Sequence, residues 1–261
     1  MTQRAKRVVI ELISFPVQAV QVMRFICTCA RGTEPAVVAE LASLGVDSEV
    51  ISRGAVSFEA ELEQAYRVLR RSRTAGRLLL ELGRYQVTSD DEVYEAAGTV
   101  AWEEHLDVGG SFVVDAVARG QGWNQRFVAL RVKDAIADRF RERVGARPDV
   151  DREAPDLRVH VHLRDHQLDL AIDIGGGPLH RRGYRQIGSE APLRENLAAS
   201  LLWLAEWPRR AAEGQPLFDP MMGSGTLLIE GASIALGLPP ENRVRRPPMA
   251  GWVIKEIRGK G

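Results

Sequence analysis

One stretch decides the fold class of this chain: Phe218-Asp219-Pro220-Met221-Met222-Gly223-Ser224-Gly225-Thr226-Leu227-Leu228-Ile229-Glu230. It predicts a short strand over residues 216–218, an acidic residue, a Gly-x-Gly turn and then an apolar helix. This order is typical of doubly wound α/β folds, in which ligands bind beyond the carboxyl ends of the strands. Only 31 residues follow Glu230 in the chain of 261, which leaves little room for the rest of such a sheet.

The Gly-x-Gly turn narrows the class of ligand. Gly223 and Gly225 allow a tight turn, and the following helix offers N–H groups to a carboxylate or phosphate. No Lys-Ser/Thr pair follows the last glycine, which argues against a P-loop, and Leu228 stands where a dinucleotide fingerprint has its third glycine. S-adenosylmethionine, with a carboxylate and no pyrophosphate, is the favoured ligand. The loop alone leaves an ordinary strand-to-helix turn open as the alternative.

Composition describes an ordinary globular protein with uneven local charge. Apolar residues make up 45% of the chain, charged residues 27%, and the formal net charge is zero. Residues 64–84 and 119–147 each carry five excess positive charges, which suits a phosphate backbone or a solvated helix face. Cys27 and Cys29 are expected to be reduced thiols of a cytoplasmic protein. No apolar run reaches the ~18 residues of a membrane span, so no membrane partner is expected.

The hydrophobic pattern before the loop predicts two α+β units. A β-α-β-α-β order over residues 23–87 predicts a ferredoxin-like layer, with one strand over residues 50–58. A second unit begins near Ser89 and contains a strong helix over 124–144 and a β-hairpin from 157 to 174. His160 and His162 alternate with apolar residues in that hairpin, which indicates a polar strand face rather than a metal site. Residues 1–22 are interpreted as an extension that precedes an alternative start at Met23.

The whole string from Asp219 to Glu230 resembles motif I of the methyltransferases that act on the exocyclic N2 of guanine in RNA. Further segments are similar to the THUMP-containing bacterial 23S rRNA guanine-N2 methyltransferases: Leu130-Arg131-Val132-Lys133-Asp134-Ala135-Ile136, Asp151-Arg152, Ala154-Pro155-Asp156, Leu179-His180, Arg182-Gly183-Tyr184-Arg185 and Ala191-Pro192-Leu193. The resemblance extends from about residue 23 to about residue 238. It implies a ferredoxin-like subdomain at 23–88, a THUMP RNA-binding domain at 89–176, a linker at 177–190 and an incomplete Rossmann-like methyltransferase domain at 191–261.

The resemblance also implies a set of site residues. S-adenosylmethionine would be bound by Asp219, Pro220, Met221, Gly223, Ser224 and Gly225, with Glu195 and Asn196 in a helix that borders it. Met222 departs from the family, which usually has Cys there, and the larger thioether puts the fit of the cofactor in doubt. Ribosomal RNA would contact basic residues and one aromatic: Arg131, Lys133, Arg181, Arg182, Tyr184 and Arg185. For the last four, a linker with solvated arginines is an equally good interpretation.

The family's base-holding motif, Asn/Asp-Pro-Pro-Tyr/Phe, does not occur in this sequence. Because this motif is absent, we predict that the chain contains no catalytic residues, is truncated after motif I and is inactive alone. No metal site is predicted. Two alternatives stay open: a non-catalytic THUMP RNA-binding protein, and one subunit of a split methyltransferase completed by a second chain. Because most of the expected sheet is missing, residues 217–236 are predicted to be poorly anchored unless a partner covers them.

Overall fold

The structure is a computed structural model, and it describes residues 21–120, 122–184 and 193–240. These residues contain eight strands: β1 (Met23–Thr28), β2 (Ser48–Ser52), β3 (Ala55–Ala60), β4 (Arg77–Gln86), β5 (Ser111–Arg119), β6 (Asp149–Val150), β7 (Leu157–Arg164) and β8 (Gln167–Asp173). Seven α-helices accompany them: α1 (Glu34–Ser43), α2 (Leu62–Arg71), α3 (Asp90–Thr99), α4 (Gln125–Val144), α5 (Glu195–Leu204), α6 (Trp207–Ala212) and α7 (Thr226–Ala235).

All eight strands form one sheet with the order β2-β3-β1-β4-β8-β7-β5-β6. The long strand β4 pairs antiparallel with β1 on one side and with β8 on the other. This second ladder joins the two units that the hydrophobic pattern predicts separately. The sheet is antiparallel except where β5 pairs with β7 and β6. The two units therefore form one continuous sheet.

The strand predicted over residues 50–58 is a hairpin, β2 and β3, with its turn at Gly54. Gly54 has φ +87°, and a Cβ added there would lie 3.1 Å from the backbone oxygen of Cys29. Both facts require glycine, because a side chain would be strained in the left-handed region and would press on that carbonyl. Gly54, inside the strand that the pattern predicts, therefore indicates the turn of the hairpin.

Helices α1 to α4 cover one face of the sheet and enclose the core. Phe25, Leu78 and Leu170 point into it from the strands, and Trp102 and Phe140 close it from the helix side. The helix predicted over 124–144 is present, with its apolar stripe buried. The other face of the sheet has no helix over it in the described residues. Along β7, buried apolar residues alternate with partly exposed polar ones, as predicted.

Residues 193–240 form the three helices α5, α6 and α7 without a strand among them. The strand predicted over 216–218 is not formed, because no described strand lies beside it to pair with. Helix α5 packs between α1 and α7 and so links the last helix to the N-terminal unit. The possible strand over residues 252–257 lies outside the described residues.

Candidate functional site

The Gly-x-Gly loop before α7 has the backbone geometry of an anion-binding turn. Gly223 and Gly225 both have positive φ, +54° and +74°. The Asp219 carboxylate accepts a hydrogen bond from the N–H of Met221 at 3.0 Å, and the N–H of Gly225 donates to the carbonyl of Met222 at 2.8 Å. Gly225 is the N-cap residue of α7, and no side chain caps this helix end in the described residues. The first turn of α7 therefore presents backbone N–H groups and the positive end of the helix dipole.

The loop lies on the surface. The exposed fractions are 82% for Phe218, 89% for Met221 and 54% for Met222, whereas Asp219 is half-buried. Pro220 and Ser224 are exposed as well. The turn can receive a carboxylate, but the described part of the chain does not enclose a nucleoside beside it.

A buried ionic cluster holds α7 from its inner side, and Glu230 is its centre. The Glu230 carboxylate is 1% exposed and accepts hydrogen bonds from the Arg73 guanidinium at 3.0 Å and from the Tyr184 hydroxyl at 2.8 Å. The guanidinium of Arg182 binds the same carboxylate. Burial, Glu230 and the nearby Glu195 raise the pKa of the Tyr184 hydroxyl, so this phenol stays a hydrogen-bond donor. We refer to Arg73, Arg182, Tyr184 and Glu230 as the Glu230 cluster.

A second buried carboxylate fixes the position of Arg73. Glu40 accepts hydrogen bonds from the N–H of Arg73 at 2.7 Å, from the Ser72 hydroxyl at 2.7 Å and from the N–H and hydroxyl of Thr74 at 3.0 and 2.6 Å. The Arg182 guanidinium also donates to the backbone oxygen of Arg73. Burial lowers the pKa of Arg73, and the charge of Glu230 opposes this. These hydrogen bonds fix the turn between α2 and β4, and Arg73 in this turn binds α7.

The contacts of the Glu230 cluster correct the expectation that residues 217–236 are poorly anchored. The indole N–H of Trp207 donates to the backbone oxygen of Gly231 at 2.8 Å and adds a further contact to α7. The inner face of α7 is anchored, and the loop before it is exposed. An acidic residue within the apolar run of α7 was the sequence signal for this cluster, because a carboxylate on a buried helix face requires a cationic partner.

Glu195 and Asn196, the predicted neighbours of the cofactor, lie at the junction of α5 with the N-terminal unit. Both are buried. Glu195 is close enough to Tyr184 to affect its pKa, and the Asn196 amide nitrogen would lie 3.5 Å from a Cβ added to Gly76. The Asn196 side-chain oxygen is buried and has no hydrogen-bond partner in the described residues. The structure therefore brings Glu195 to the Glu230 cluster.

The residues predicted to contact RNA divide into three groups. Arg182 is 1% exposed and Tyr184 is half-buried, and both bind Glu230, so the interpretation of Arg182 as an RNA contact does not fit its position. Arg181 is exposed, and Arg185 lies outside the described residues. The basic linker pattern did not reveal that one of its arginines completes a buried ion pair.

Arg131 and Lys133 lie on α4 beside a pocket of about 430 Å³, which Arg141 and Arg147 also line. Arg131 is 5.0 Å from the ring centroid of Tyr94 and forms a salt bridge with Asp91. Lys133 pairs with Asp134 at 3.0 Å, and Arg141 pairs with Asp138 at 2.6 Å. Arg147 is exposed and forms no salt bridge within the described residues. The pocket is basic, with part of its charge neutralised.

The described ranges offer few other groups for a functional site. No group of three His, Cys, Asp or Glu side chains there is arranged to hold a metal ion. No helix there is long and apolar enough to cross a bilayer. Cys27 and Cys29 are free thiols, and burial raises the pKa of Cys29 to about 11. Neither thiol is therefore suited to act as a nucleophile.

Three family models match the chain in sequence order. They are the RlmL ferredoxin-like domain at residues 24–79, the THUMP domain at 87–173 and the RMKL-like methyltransferase domain at 182–250. By these matches the chain has the domain order of one class of protein: a ferredoxin-like N-terminal part, a THUMP domain and a methyltransferase-like C-terminal part.

The particular relatives of this chain are ribosomal RNA large subunit methyltransferases K/L. The protein of Syntrophotalea carbinolica is 45% identical over 234 residues, which are 88% of this chain and 32% of the relative. The protein of Pseudomonas aeruginosa is 45% identical over 227 residues, 87% of this chain and 31% of the relative. The chain spans about a third of their length. Each relative continues beyond the match as one protein, which gives no support to a second chain.

Solved structures agree with this assignment. SMU.472, assigned as a methyltransferase and solved in complex with SAH, has a TM-score of 0.75 and 26% identity over 90% of this chain and 63% of its own. A predicted N6-adenine-specific DNA methylase from Listeria monocytogenes has a TM-score of 0.73 and 28% identity over the same shares. TrmN from Thermus thermophilus has a TM-score of 0.58 and 29% identity, covering 82% and 62%. The mixed α/β fold class and the resemblance to rRNA methyltransferases are confirmed.

Proposed function

We propose that this chain binds ribosomal RNA and carries the cofactor loop of an S-adenosylmethionine-dependent rRNA guanine-N2 methyltransferase. The family's reaction transfers a methyl group to the exocyclic amine of a guanine in 23S rRNA, and in this proposal it requires a complete catalytic domain. One observation carries the proposal: the Glu230 cluster ties the helix of the cofactor loop to the ferredoxin-like unit, and the β4–β8 ladder joins that unit to the one with the THUMP match. A rigid connection of this kind serves an enzyme that must present a bound RNA to a bound cofactor.

The cofactor loop supplies binding and orientation. The first turn of α7 would receive the cofactor carboxylate, with Gly223 and Gly225 letting the backbone approach it. Asp219, Pro220, Met221 and Ser224 would form the rim of the site. Glu195 and Asn196, on α5, would border the cofactor. The cofactor itself supplies the methyl group when bound.

The RNA-binding role falls to the basic pocket on α4 and to Arg181. Arg131 and Lys133 would contact phosphates, and Arg147 adds an exposed cation at the same pocket. In this proposal the domains follow the expected division, with a linker at 177–190. Because the substrate is ribosomal RNA, the proposed location is the cytoplasm.

The chain alone is proposed to be inactive, because its sequence lacks the Asn/Asp-Pro-Pro-Tyr/Phe motif that holds the target base. The test is an assay of the purified chain with 23S rRNA and radiolabelled S-adenosylmethionine. We expect no methyl incorporation above a no-enzyme blank. Turnover that grows in proportion to the amount of chain would contradict the proposal.

A non-catalytic RNA-binding protein is the second candidate, and the exposure of Met221 and Phe218 favours it. Calorimetric titration of S-adenosylmethionine into the chain separates the two. A signal that Gly225→Val abolishes would support the cofactor loop, because valine is strained at φ +74°. RNA affinity without any cofactor binding would support the second candidate.

A further inference from the structure

The face of the sheet opposite the helices carries a trough of about 810 Å³. It crosses the sheet from the β2–β3 hairpin to the end of β5, over both units. Five inter-strand spacings separate β3 from β5, so the trough is about 24 Å across the strands. It exists only because β4 and β8 join the two units into one sheet.

Positive charge is concentrated in the trough. Five arginines line it, against two aspartates: Arg31, Arg53, Arg84, Arg119 and Arg164, with Asp165 and Asp169. Arg84 pairs with Asp169 at 2.8 Å, and Arg164 lies 3.9 Å from Asp165. Arg31, Arg53 and Arg119 are exposed and form no salt bridge in the part of the chain that the structure describes.

Elsewhere on the same sheet face, the arginines are neutralised by ion pairs. Arg158 binds Asp115 at 2.7 Å, and Arg77 binds the buried Asp173. Arg24 likewise bridges Glu49 at 3.2 Å and Glu81 at 3.4 Å. The excess cations are therefore a local property of the trough and not of the whole face.

The floor of the trough suits the faces of bases rather than more phosphates. Ile26, Leu79 and Ala171 form a small apolar cluster there. His160 lies beside them with a buried Nδ1 that has no hydrogen-bond partner in the described residues. Burial and the charge of Arg77 lower the pKa of His160 to about 4, so its imidazole is neutral near pH 7 and adds no positive charge to the floor.

We propose that this trough binds a single-stranded segment of RNA, with phosphates on Arg31 and Arg53 at one end and on Arg119 and Arg164 at the other. The proposal rests on the proposed function, since it assumes that the chain binds RNA. It names a surface other than the pocket on α4, on the opposite side of the sheet. A single strand fits better than a duplex, because only unpaired bases can place their faces on the apolar floor.

The test measures the affinity of the full chain for a fluorescent 12-nucleotide single-stranded RNA and for a duplex of the same length by anisotropy. The trough variant combines Arg31→Glu, Arg53→Glu and Arg119→Glu. The control combines Arg67→Glu, Arg70→Glu and Arg71→Glu on α2, which change the net charge equally on the helix side. Thermal melting checks that both variants are folded.

We expect the trough variant to bind the single strand at least tenfold more weakly and the control to change by less than threefold. The slope of log affinity against log salt should flatten by about 2, from roughly 0.7 for each of three lost phosphate contacts. Photo-crosslinking of a 4-thiouridine strand should label β3, β4 and β7 peptides.

Each contrary result has a distinct meaning. If the natural chain binds no RNA, the proposed function fails and this inference fails with it. If it binds RNA and both variants lose affinity equally, or crosslinks map to α4, the trough is overturned and the proposed function stands. Equal affinity for the duplex overturns the assignment of a single strand.

Discussion

The two parts of the molecule are stabilised in different ways. Residues 21–120 and 122–184 form an eight-stranded sheet with a closed core, and side chains of Ser89 and Asn124 cap α3 and α4. Residues 193–240 form three helices, none with a side-chain cap in the described residues, and leave Phe218, Met221 and Leu236 exposed. Apolar packing holds the first part together. The second part takes its position from the first through the packing of α5 on α1 and through buried polar contacts.

The largest expected effect comes from Glu230→Gln, which removes the carboxylate that ties α7 to the first part. The buried guanidinium groups of Arg73 and Arg182 share this charged carboxylate. We expect the free energy of local opening of α7 to fall by about 3–5 kcal/mol. Hydrogen exchange of the α7 amides measures this directly, and the strands of the sheet should keep their protection.

The matched control is Glu213→Gln, which removes an exposed partner of Arg209 at 2.6 Å. Such an exposed pair contributes little to stability, because water and salt screen it. If α7 exchanges equally in both variants, the Glu230 cluster does not anchor it.

The next effect comes from Leu170→Ala in the first part. Leu170 is fully buried on β8, at the centre of the sheet, and its truncation should lower the free energy of unfolding by about 3–4 kcal/mol. Leu201→Ala on α5, where the side chain is 44% exposed, should cost less than about 1 kcal/mol. Urea unfolding compares the two. Both parts should lose protection together in Leu170→Ala, and independent unfolding of residues 193–240 would show that they do not depend on the sheet.

Local patterns made the first part predictable. The helix over 124–144 and the hairpin of β7 and β8 follow from the periodicity of their own residues. The β4–β8 ladder and the Glu230 cluster could not be predicted this way, because each joins residues far apart in sequence. The loop motif predicted the left-handed glycines of the site. It could not show that Arg182 points inward, since that depends on a carboxylate 48 residues later.

Acid should weaken the first part through His160. Its folded-state pKa of about 4 lies below the ordinary value of 6.5, so between these values the unfolded chain binds a proton that the folded chain does not. Stability is therefore complete above pH 6.5 and is lost as the pH falls towards 4, by roughly 2–3 kcal/mol. The difference in unfolding free energy between the natural chain and His160→Gln, measured from pH 7 to 4, isolates this contribution. A constant difference would contradict it.

The smallest effect on stability belongs to the exposed loop. Met221→Ser should change the free energy of unfolding by less than about 0.5 kcal/mol, because this side chain is 89% exposed. It should nevertheless reduce self-association at high concentration, since it removes an apolar side chain from an exposed patch. Thermal melting and light scattering give the two readings. A large drop in melting temperature would mean that the loop is packed.

The Glu230 cluster also orders events during synthesis. Arg73 precedes Glu230 by 157 residues, and Arg182 lies between them. At about 5–20 residues per second, the ribosome completes the turn that holds Arg73 roughly 8–30 seconds before it adds Glu230. The residues that hold α7 are therefore synthesised before that helix, and α7 can dock on them as it leaves the ribosome.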